Sequence, residues 1–349
     1  MAGTNQTYPA ISDPAPLCYE SMNSSCPKIN YPVVIRAPLY VFFGTAVVVT
    51  VVGNLLVVTV VVHFKQLHTP TNYLIASLAM ADLLVGAFLM PPSMVRSVET
   101  CWYLGHLFCK IHSSVDVMLC NASILNLSFI AVDRYCAVCH PLRYQNTITP
   151  PVTAVMICVS WGVPALVGFG MIFLELNIMG LEEFYYNNFY CDGACILFQG
   201  GLSGALSSVI SFYIPGAIML CIYARIYFTA QKQARLIQGR HNMANRTYGK
   251  GASDATKMDR KATKTLTIIM GVFLSFWLPF FVCNIIDPFI GYSIPPLVFD
   301  FVVWIGYFNS TCNPIVYALF YSWFRNAFKI VLFGRVSKQN PSSLKLFSE

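Results

Sequence analysis

Seven long apolar stretches constrain the fold of this chain more than any other feature of its sequence. They run over residues 38–63, 73–95, 107–138, 152–174, 203–230, 262–286 and 297–320. An α-helix needs about 20 apolar residues to cross the hydrocarbon core of a bilayer, and each stretch reaches that length. Only 11% of the residues are charged, whereas a soluble domain carries about 25%. We therefore predict an all-α membrane protein, a bundle of seven transmembrane helices.

Basic residues concentrate on one side of the predicted bundle. All but four of the 22 Lys and Arg lie after the first, third and fifth spans, in the C-terminal tail, or at the adjoining helix ends. The exceptions are Lys28, Arg36, Arg96 and Lys110. Because Lys and Arg accumulate on the cytoplasmic side, we expect a plasma-membrane protein with its N-terminus outside and its C-terminus in the cytosol. The net charge of +7 then reflects contact with anionic membrane lipid and not with nucleic acid.

Three regions follow from this topology. Residues 1–37 form an extracellular N-terminal segment, in which the sequons at Asn5 and Asn23 predict glycosylation. Residues 38–321 hold the seven helices. Residues 322–349 hold the cytoplasmic tail, which begins with the amphipathic stretch Ser322–Phe333. Its basic residues lie on one side and its aromatic residues are free for lipid, so we predict a short eighth helix in the membrane interface.

The third span combines an acid near its outer end with a charged triplet at its inner end. Asp116 lies in the outer third, and the span finishes with Asp133-Arg134-Tyr135. A carboxylate buried at the depth of Asp116 needs a positive partner. The sequence places no Lys or Arg at comparable depth in the other spans. We therefore expect the cation to be a ligand that enters from outside; the alternative is that Tyr307 and Ser or Thr hydroxyls alone satisfy the carboxylate.

A second acid, Asp82, lies inside the second span. An ionisable residue at that depth is expected to have a function. Its expected neighbours are polar residues near the middle of the membrane: Asn54, Ser123, Asn309 and Asn313. Amide and hydroxyl oxygens around a carboxylate suit a small hard cation, so we predict an allosteric Na⁺ site here and no other cofactor. The alternative is a hydrogen bond between helices.

Three serines in the fifth span are candidates for contact with a polar group on a ligand. Ser207, Ser208 and Ser211 lie about two helical turns or less before Pro215. Their hydroxyls could bond to a ligand hydroxyl. The alternative is that they bond back to their own helix, as serines in membrane helices often do.

Aromatic residues and prolines mark the sixth and seventh spans. Trp277, Phe280 and Phe281 could form an apolar wall and a cation-π face for an ammonium group, although core packing explains any one of them equally well. Pro279 is expected to kink the sixth helix. Asn313-Pro314 is expected to break the seventh, which would make it a moving part.

Six cysteines fall on the predicted outer side, where disulfides persist: Cys18, Cys26, Cys101, Cys109, Cys191 and Cys195. A bond from Cys109 to Cys191 or Cys195 would hold the loop after the fourth span over the mouth of the bundle. The remaining cysteine of that loop could bind the N-terminal segment through Cys18 or Cys26. Residue spacing leaves the connectivity open.

Taken together, motifs in every span resemble those of one receptor family. They are Gly53-Asn54, LAMADLL around Asp82, Cys109, Asp133-Arg134-Tyr135, Trp161, Pro215, Trp277-Leu278-Pro279 and Asn313-Pro314-Ile315-Val316-Tyr317. The set resembles the rhodopsin-like (class A) G-protein-coupled receptors. Asp116 with Trp304 and Tyr307 is similar to the aminergic subset, and Asn309–Pro314 resembles the fingerprint of the trace amine-associated receptors.

This resemblance implies a cell-surface receptor for a small protonated biogenic or trace amine, an aromatic monoamine by preference. It also implies a stimulatory heterotrimeric G protein as partner, with a rise in cyclic AMP. The implied ligand-binding residues are Asp116, Val117, Cys120, Ser207, Ser208, Ser211, Trp277, Phe280, Phe281, Trp304 and Tyr307. The implied activation and coupling residues are Asp133, Arg134, Tyr135, Tyr223, Asp259, Phe273, Asn313, Pro314 and Tyr317.

Within this family scheme, the disulfide of Cys109 goes to Cys195, which leaves Cys191 for Cys18 or Cys26. Arg134 is expected to pair with Asp133 and, across the bundle, with Asp259. One departure from the family pattern is Phe276, which stands where a cysteine usually precedes the Trp-x-Pro motif. The fifth span has no acid near Ser207, which favours monoamines over diamines.

Three other classes of protein fit the sequence less well. A transporter would show two hydropathically similar halves with corresponding broken helices, and we find no such symmetry. A retinal protein needs a membrane lysine for its Schiff base, and the seventh span has none. No nucleophile–base set or metal-ligand spacing suggests an enzyme.

Overall fold

The computed structural model describes residues 16–22, 24–243, 250–320 and 324–326, without the side chains of 233–243, 250–266 and 320. Its regular structure in these residues is helical, with only two isolated β-bridges. Seven long helices follow one another. They are α1 (Val33–His63), α2 (Pro70–Leu84, Val85–Leu89 and Met90–Glu99), α3 (Gly105–Cys139), α4 (Pro150–Phe173), α5 (Gly201–Ser208, Val209–Tyr213 and Ile214–Met243), α6 (Lys250–Ile286) and α7 (Pro296–Phe320).

The helices confirm the predicted all-α membrane bundle. In the described part of the chain, six of them, α1 to α6, are long and apolar enough to cross a membrane. The seventh, α7, packs against α1 and α6 and completes the bundle. Two short helices that the sequence did not predict, Pro141–Thr147 and Glu182–Asn188, lie in the loops after α3 and α4.

Two turns of π-helix interrupt the regular spans. Val85–Leu89 divides α2, and Val209–Tyr213 divides α5 just before Pro215. Such turns insert one residue into the helix and are frequent at functional sites. Hydropathy did not predict them, because both segments remain apolar throughout.

The prolines of α6 and α7 lie inside continuous helices. The expectation that Asn313-Pro314 breaks the seventh helix is wrong, since α7 runs from Pro296 to Phe320 through Pro314. Helix α1 lies close to α7 at Pro314. A Cβ at Gly53 of α1 would lie only 2.8 Å from the Pro314 ring. Packing by neighbouring helices allows a membrane helix to tolerate an internal proline.

Helix α3 occupies the centre of the bundle. It packs against α2, α4, α5 and α6, and several of its polar side chains, among them Ser123, Asn126 and Asp133, are therefore buried. In the main hydrophobic cluster, Ile124 of α3 is packed with Phe273 of α6 and Tyr223 of α5. A second cluster joins Leu119 to Trp304 and Tyr307 of α7.

Three disulfides hold the outer face together. Cys109 at the start of α3 is bonded to Cys195, and Cys26 is bonded to Cys191. The third bond, Cys18–Cys101, joins the N-terminal segment to the loop after α2 and was not among the expected pairs. Two backbone hydrogen bonds add to these links: the Cys26 N–H donates to the Asp192 carbonyl, and the Asp192 N–H donates to the Ser24 carbonyl. The N-terminal segment is thereby attached to two outer loops.

Three predictions fall wholly or partly outside the described residues. The sequons at Asn5 and Asn23 lie outside them, as do most residues of the amphipathic stretch Ser322–Phe333. Its described residues, 324–326, are helical, and Phe324 is buried. Asp259 belongs to α6, but its side chain is not described.

Candidate functional site

A cavity of about 880 Å³ occupies the outer half of the bundle. Its walls come from α2 to α7, from the loop after α4, and from the N-terminal segment, which contributes Cys26, Pro27, Ile29 and Tyr31. This volume falls in the range of pockets that bury a small organic ligand. The disulfides described above hold the loop and the N-terminal segment in place around it.

Asp116 lies on the α3 wall of this cavity. The hydroxyl of Tyr307, on α7, donates a 2.9 Å hydrogen bond to the Asp116 carboxylate. Tyr307 is almost fully buried and lies behind the acid. Val117 and Cys120 line the cavity beside it. Among the described residues, no Lys or Arg forms an ion pair with Asp116.

Arg96, on α2, is a cation at the site that the sequence did not predict to be there. It lines the cavity, but its guanidinium donates 3.1 Å hydrogen bonds to Asp300 and to the carbonyl oxygen of Cys195. Its charge is therefore partnered by an acid on α7. This ion pair forms part of the outer rim of the cavity. The Asp116 carboxylate is not part of it and faces the interior of the cavity.

Aromatic side chains of α6 form an apolar wall of the cavity, as the sequence predicted for Trp277, Phe280 and Phe281. Phe281 is stacked on Phe212 from α5 with ring centroids 4.5 Å apart. Phe212 lies in the π-helical turn, and no sequence signal had selected it. Behind Trp277, a Cβ at Gly306 would approach the indole ring to 2.9 Å, so glycine is needed there.

The three candidate serines of α5 lie in different environments. Ser207 and Ser211 line the cavity, as expected. Ser208 does not: it is buried, and its hydroxyl oxygen accepts a 2.9 Å hydrogen bond from the amide of Asn284. The structure therefore places Ser208 outside the set of residues that line the cavity. The π-helical turn Val209–Tyr213 begins directly after Ser208 and contains Ser211.

Trp304 also lies outside the cavity lining. Its indole N–H donates to Ser97 on α2, and its ring is stacked on Phe43 of α1 at 4.0 Å. It packs edge-on against Tyr307 but is not among the residues that line the cavity. Its contribution to the site is to support the tyrosine that bonds to Asp116.

Asp82 lies fully buried between α2 and α7. It accepts hydrogen bonds from Ser310 at 2.8 Å and from Asn313 at 2.7 Å. Ser310 was not among the expected neighbours, and Asn54 turns its amide toward the backbone oxygens of Thr50 and Ser310 instead.

Several buried side-chain oxygens of α1 and α7 could accept a further hydrogen bond or bind a cation. In the described part of the chain, the side-chain oxygens of Asn54, Asn309 and Asn313 are enclosed without a hydrogen-bond partner. Ser123 on α3 is buried as well. Buried oxygens without donors, near a carboxylate, fit a hard cation or ordered water.

The inner end of α3 carries a compact polar network. Arg134 donates to Asp133 at 2.7 Å and to the hydroxyl of Thr71 on α2. Thr71 donates in turn to Asp133 at 2.7 Å, and Tyr144 of the following loop donates to its other oxygen at 2.8 Å. Thr71 and Tyr144 were not predicted. Tyr135 lies outside this network, edge-on to His140.

Comparison with known proteins agrees with this geometry. Residues 53–317 match the 7 transmembrane receptor (rhodopsin family) model. The chain is 53% identical to trace amine-associated receptor 1 of Macaca mulatta and 52% identical to that of Homo sapiens. Each match covers 96% of this chain and 98–99% of the relative. It is 42% identical to trace amine-associated receptor 13c of Danio rerio over 96% of this chain and 97% of that protein.

Proposed function

We propose that this chain, which belongs to the rhodopsin family of seven-transmembrane receptors and within it to the trace amine-associated receptors, is activated by protonated aromatic monoamines. Membership of this family makes it a multi-pass plasma-membrane receptor and not an enzyme. One observation carries the ligand proposal. The Asp116 carboxylate borders the cavity, and Tyr307 donates to it from behind without neutralising its charge.

A ligand ammonium completes the environment of Asp116. A carboxylate removed from water is stable only when it is paired and hydrogen-bonded. Tyr307 supplies a hydrogen bond but no charge, and Arg96 is engaged by Asp300. Charge-assisted hydrogen bonds from an ammonium are the strongest available to a carboxylate. The names of the relatives, which are trace amine receptors, support the same ligand class.

The aromatic body of the ligand packs against the wall formed by Trp277, Phe280 and Phe281, and its ammonium lies within reach of their ring faces. Ser207 and Ser211 provide hydroxyls on the α5 side. The acids at the outer rim do not favour a diamine. Asp300 is paired with Arg96, and Asp287 accepts a hydrogen bond from the Ile294 backbone N–H.

Activation acts through the inner end of the bundle. With the N-terminus outside and the C-terminus in the cytosol, the Asp133–Arg134 pair faces the cytoplasm. An agonist shifts the equilibrium only by binding one state of the bundle better than the other. In the active state, Arg134 leaves Asp133 and Thr71, and Phe273, Tyr223 and Tyr317 repack to admit a helix of a stimulatory G protein. Asp259, as a further partner of Arg134, remains part of this proposal.

Asp82 forms the second, allosteric part of the proposal. Asp82 with Ser123, Asn309 and Asn313 would hold Na⁺ through oxygens, several of which have no other partner among the described residues. A bound Na⁺ supplies a positive charge that offsets the buried carboxylate. The ion would therefore stabilise the state in which α2 and α7 lie as they do here.

An agonist screen tests the proposed function. Cells that express the chain and untransfected cells receive aromatic monoamines, aliphatic monoamines and polyamines, and cyclic AMP is measured. Aromatic monoamines should raise cyclic AMP in expressing cells only. Surface expression without a response to any amine, in cyclic AMP or in a G-protein dissociation assay, would refute the amine proposal. A response in G-protein dissociation without a rise in cyclic AMP would refute only the stimulatory coupling.

A further inference from the structure

One side of the cavity, between α4 and α5, is lined by residues that also lie on the outer surface of the bundle. They are Leu166, Val167 and Gly170 of α4 with Leu206 and Ile210 of α5. Leu166, Leu206 and Ile210 are 78%, 52% and 63% exposed. We call these five residues the α4–α5 opening.

Access to the cavity alone does not account for this exposure. Val117, Trp277 and Phe281 also line the cavity, yet they are only 9%, 8% and 5% exposed. A side chain that is accessible from the cavity alone is therefore nearly buried. The leucine and isoleucine side chains of the opening must be accessible from outside the bundle as well.

Space remains at this side because α4 and α5 pack against other helices. In the described part of the chain, α4 packs against α2 and α3, and α5 against α3 and α6, with at most slight contact between α4 and α5. A Cβ at Gly170 would meet no neighbouring side chain or helix within 4 Å. At Gly168, by contrast, a Cβ would lie 2.5 Å from the Ser114 carbonyl oxygen of α3. One side of α4 is therefore tightly packed on α3, and the side that bears Gly170 is open.

The opening faces the membrane and is closed toward the outer water. Above it, the loop after α4 is bonded to the start of α5, since the Gly200 N–H and the Ser203 hydroxyl donate to the Asn177 carbonyl oxygen at 2.7 and 2.8 Å. Leu166 and Gly170 lie near the outer end of α4, about 5 to 10 Å below it at the usual helical rise. Because the hydrocarbon core of a bilayer is about 30 Å thick and α4 is about 36 Å long, this level lies in the outer leaflet.

The chemistry of the opening favours a hydrocarbon chain. Its five residues are aliphatic side chains and one glycine, without charge. An ordered water needs about two to four polar partners, which such a surface does not provide. An empty gap would lose the dispersion contacts that packed apolar atoms make. The apolar molecule that is always present at this depth is membrane lipid.

We propose that an acyl chain of an outer-leaflet lipid enters the cavity through the α4–α5 opening and completes its wall. The chain packs against Leu166, Val167, Leu206 and Ile210, and its headgroup stays at the membrane interface. Lipid thereby forms part of the cavity and limits the space beside Ser207. This proposal concerns the cavity without a ligand, so it does not depend on the proposed amine.

Photo-crosslinking tests whether an acyl chain enters. The full-length receptor is reconstituted, without any amine, in nanodiscs that contain phosphatidylcholine with a diazirine on one acyl chain. After irradiation and proteolysis, mass spectrometry locates the adducts. We expect adducts on Val117, which lines the cavity and is nearly buried, and on Val155, which is 62% exposed on α4 and does not line the cavity. The Val155 signal is the reference for ordinary lipid contact.

Filling the opening should exclude the chain. Gly170→Leu places an isobutyl group in the open space, and Leu206→Trp narrows the opening from α5. Each variant should lower the Val117 signal, relative to that of Val155, by at least about 5-fold, because close packing leaves no room for a chain. Gly162→Leu is the matched control and should leave the signal unchanged. A Cβ at Gly162 of α4 also meets nothing within 4 Å, but Gly162 does not line the cavity.

Thermal unfolding of each variant shows that it is folded, and the two filled variants act from different helices, so either one suffices. Absence of adducts on Val117 in the wild-type receptor overturns the proposal. So does an undiminished Val117 signal in the folded filled variants, or an equal loss in Gly162→Leu. Because no amine is present, a failure here leaves the proposed amine response untouched, and the agonist screen tests that response separately.

Discussion

The hydroxyl of Tyr307 on α7 lies 2.9 Å from a carboxylate oxygen of Asp116 on α3. The bond joins the central helix of the bundle to α7, which also carries the partners of Asp82. Tyr307 is held in turn by the Trp304 ring and is buried from water. The carboxylate is therefore oriented before a ligand arrives, which reduces the ordering that binding requires.

Neutralising Asp116 should remove the response to amines. Asp116→Asn keeps the size of the side chain but loses the charge, and Asp116→Ala loses both. Breaking a buried charge pair costs about 2–5 kcal/mol, so agonist potency should fall by at least about 30-fold in both variants. Tyr307→Phe removes one hydrogen bond to the acid and should cost less, about 10-fold. Concentration–response curves at matched surface expression measure this, and an unchanged response in Asp116→Asn would reject the ion pair.

Replacing Asp82 should uncouple agonist binding from Na⁺. Asp82→Asn retains hydrogen-bonding groups for contact with Ser310 and Asn313 but removes the charge that would hold the cation. Agonist affinity of the wild-type receptor should fall as Na⁺ replaces N-methylglucamine at constant ionic strength. In Asp82→Asn that dependence should disappear. Retained Na⁺ sensitivity in the variant would place the ion elsewhere.

Loosening the inner network should raise basal signalling. Thr71 holds both Arg134 and Asp133, so Thr71→Ala removes a hydrogen bond to each charge and should favour the active state by about 10-fold. Tyr144→Phe is the matched comparison, because Tyr144 contacts Asp133 alone and should raise basal cyclic AMP less. Asp259→Ala should also raise it if Asp259 restrains Arg134. Flat basal activity in Thr71→Ala would show that this network does not hold the inactive state.

The disulfide Cys18–Cys101 should stabilise the N-terminal part of the cavity wall. Removing a native disulfide from a small domain typically costs about 2–5 kcal/mol. Cys18→Ser, Cys101→Ser and the double variant should lower the thermal stability of the purified receptor by the same amount, because they remove the same bond. A double variant that loses clearly more than either single variant would show that these cysteines are not partners.

The spans and their order were predictable because they depend on local hydropathy. The third span was expected at 107–138 and is Gly105–Cys139. Asp116, Asp82 and the Asp133-Arg134 pair were selected because a charge inside a membrane helix is costly wherever it lies. No packing information was needed to recognise them as candidate site residues.

The partners of these residues were less predictable. Ser310, Thr71 and Tyr144 are ordinary polar residues, and their spacing gives no sign that they meet a carboxylate. Trp304 and Ser208 were expected in the cavity but face Ser97 and Asn284. Ser208 precedes the π-turn of α5, and Trp304 lies in the continuous helix α7. Their orientation therefore depends on packing against Asn284 of α6 and Ser97 of α2, which residue spacing does not specify.

Sequence alone therefore establishes seven segments long enough to span a membrane and the few charged residues within them. Both depend on the free energy of transferring each segment from water into the membrane, which is a local property. Only the tertiary structure decides how Gln199 and Asn284 are oriented, and that Cys18 is bonded to Cys101. These relationships join residues that lie 85 and 83 positions apart in the chain. They depend on how helices and loops pack against one another, which local patterns of polarity do not encode.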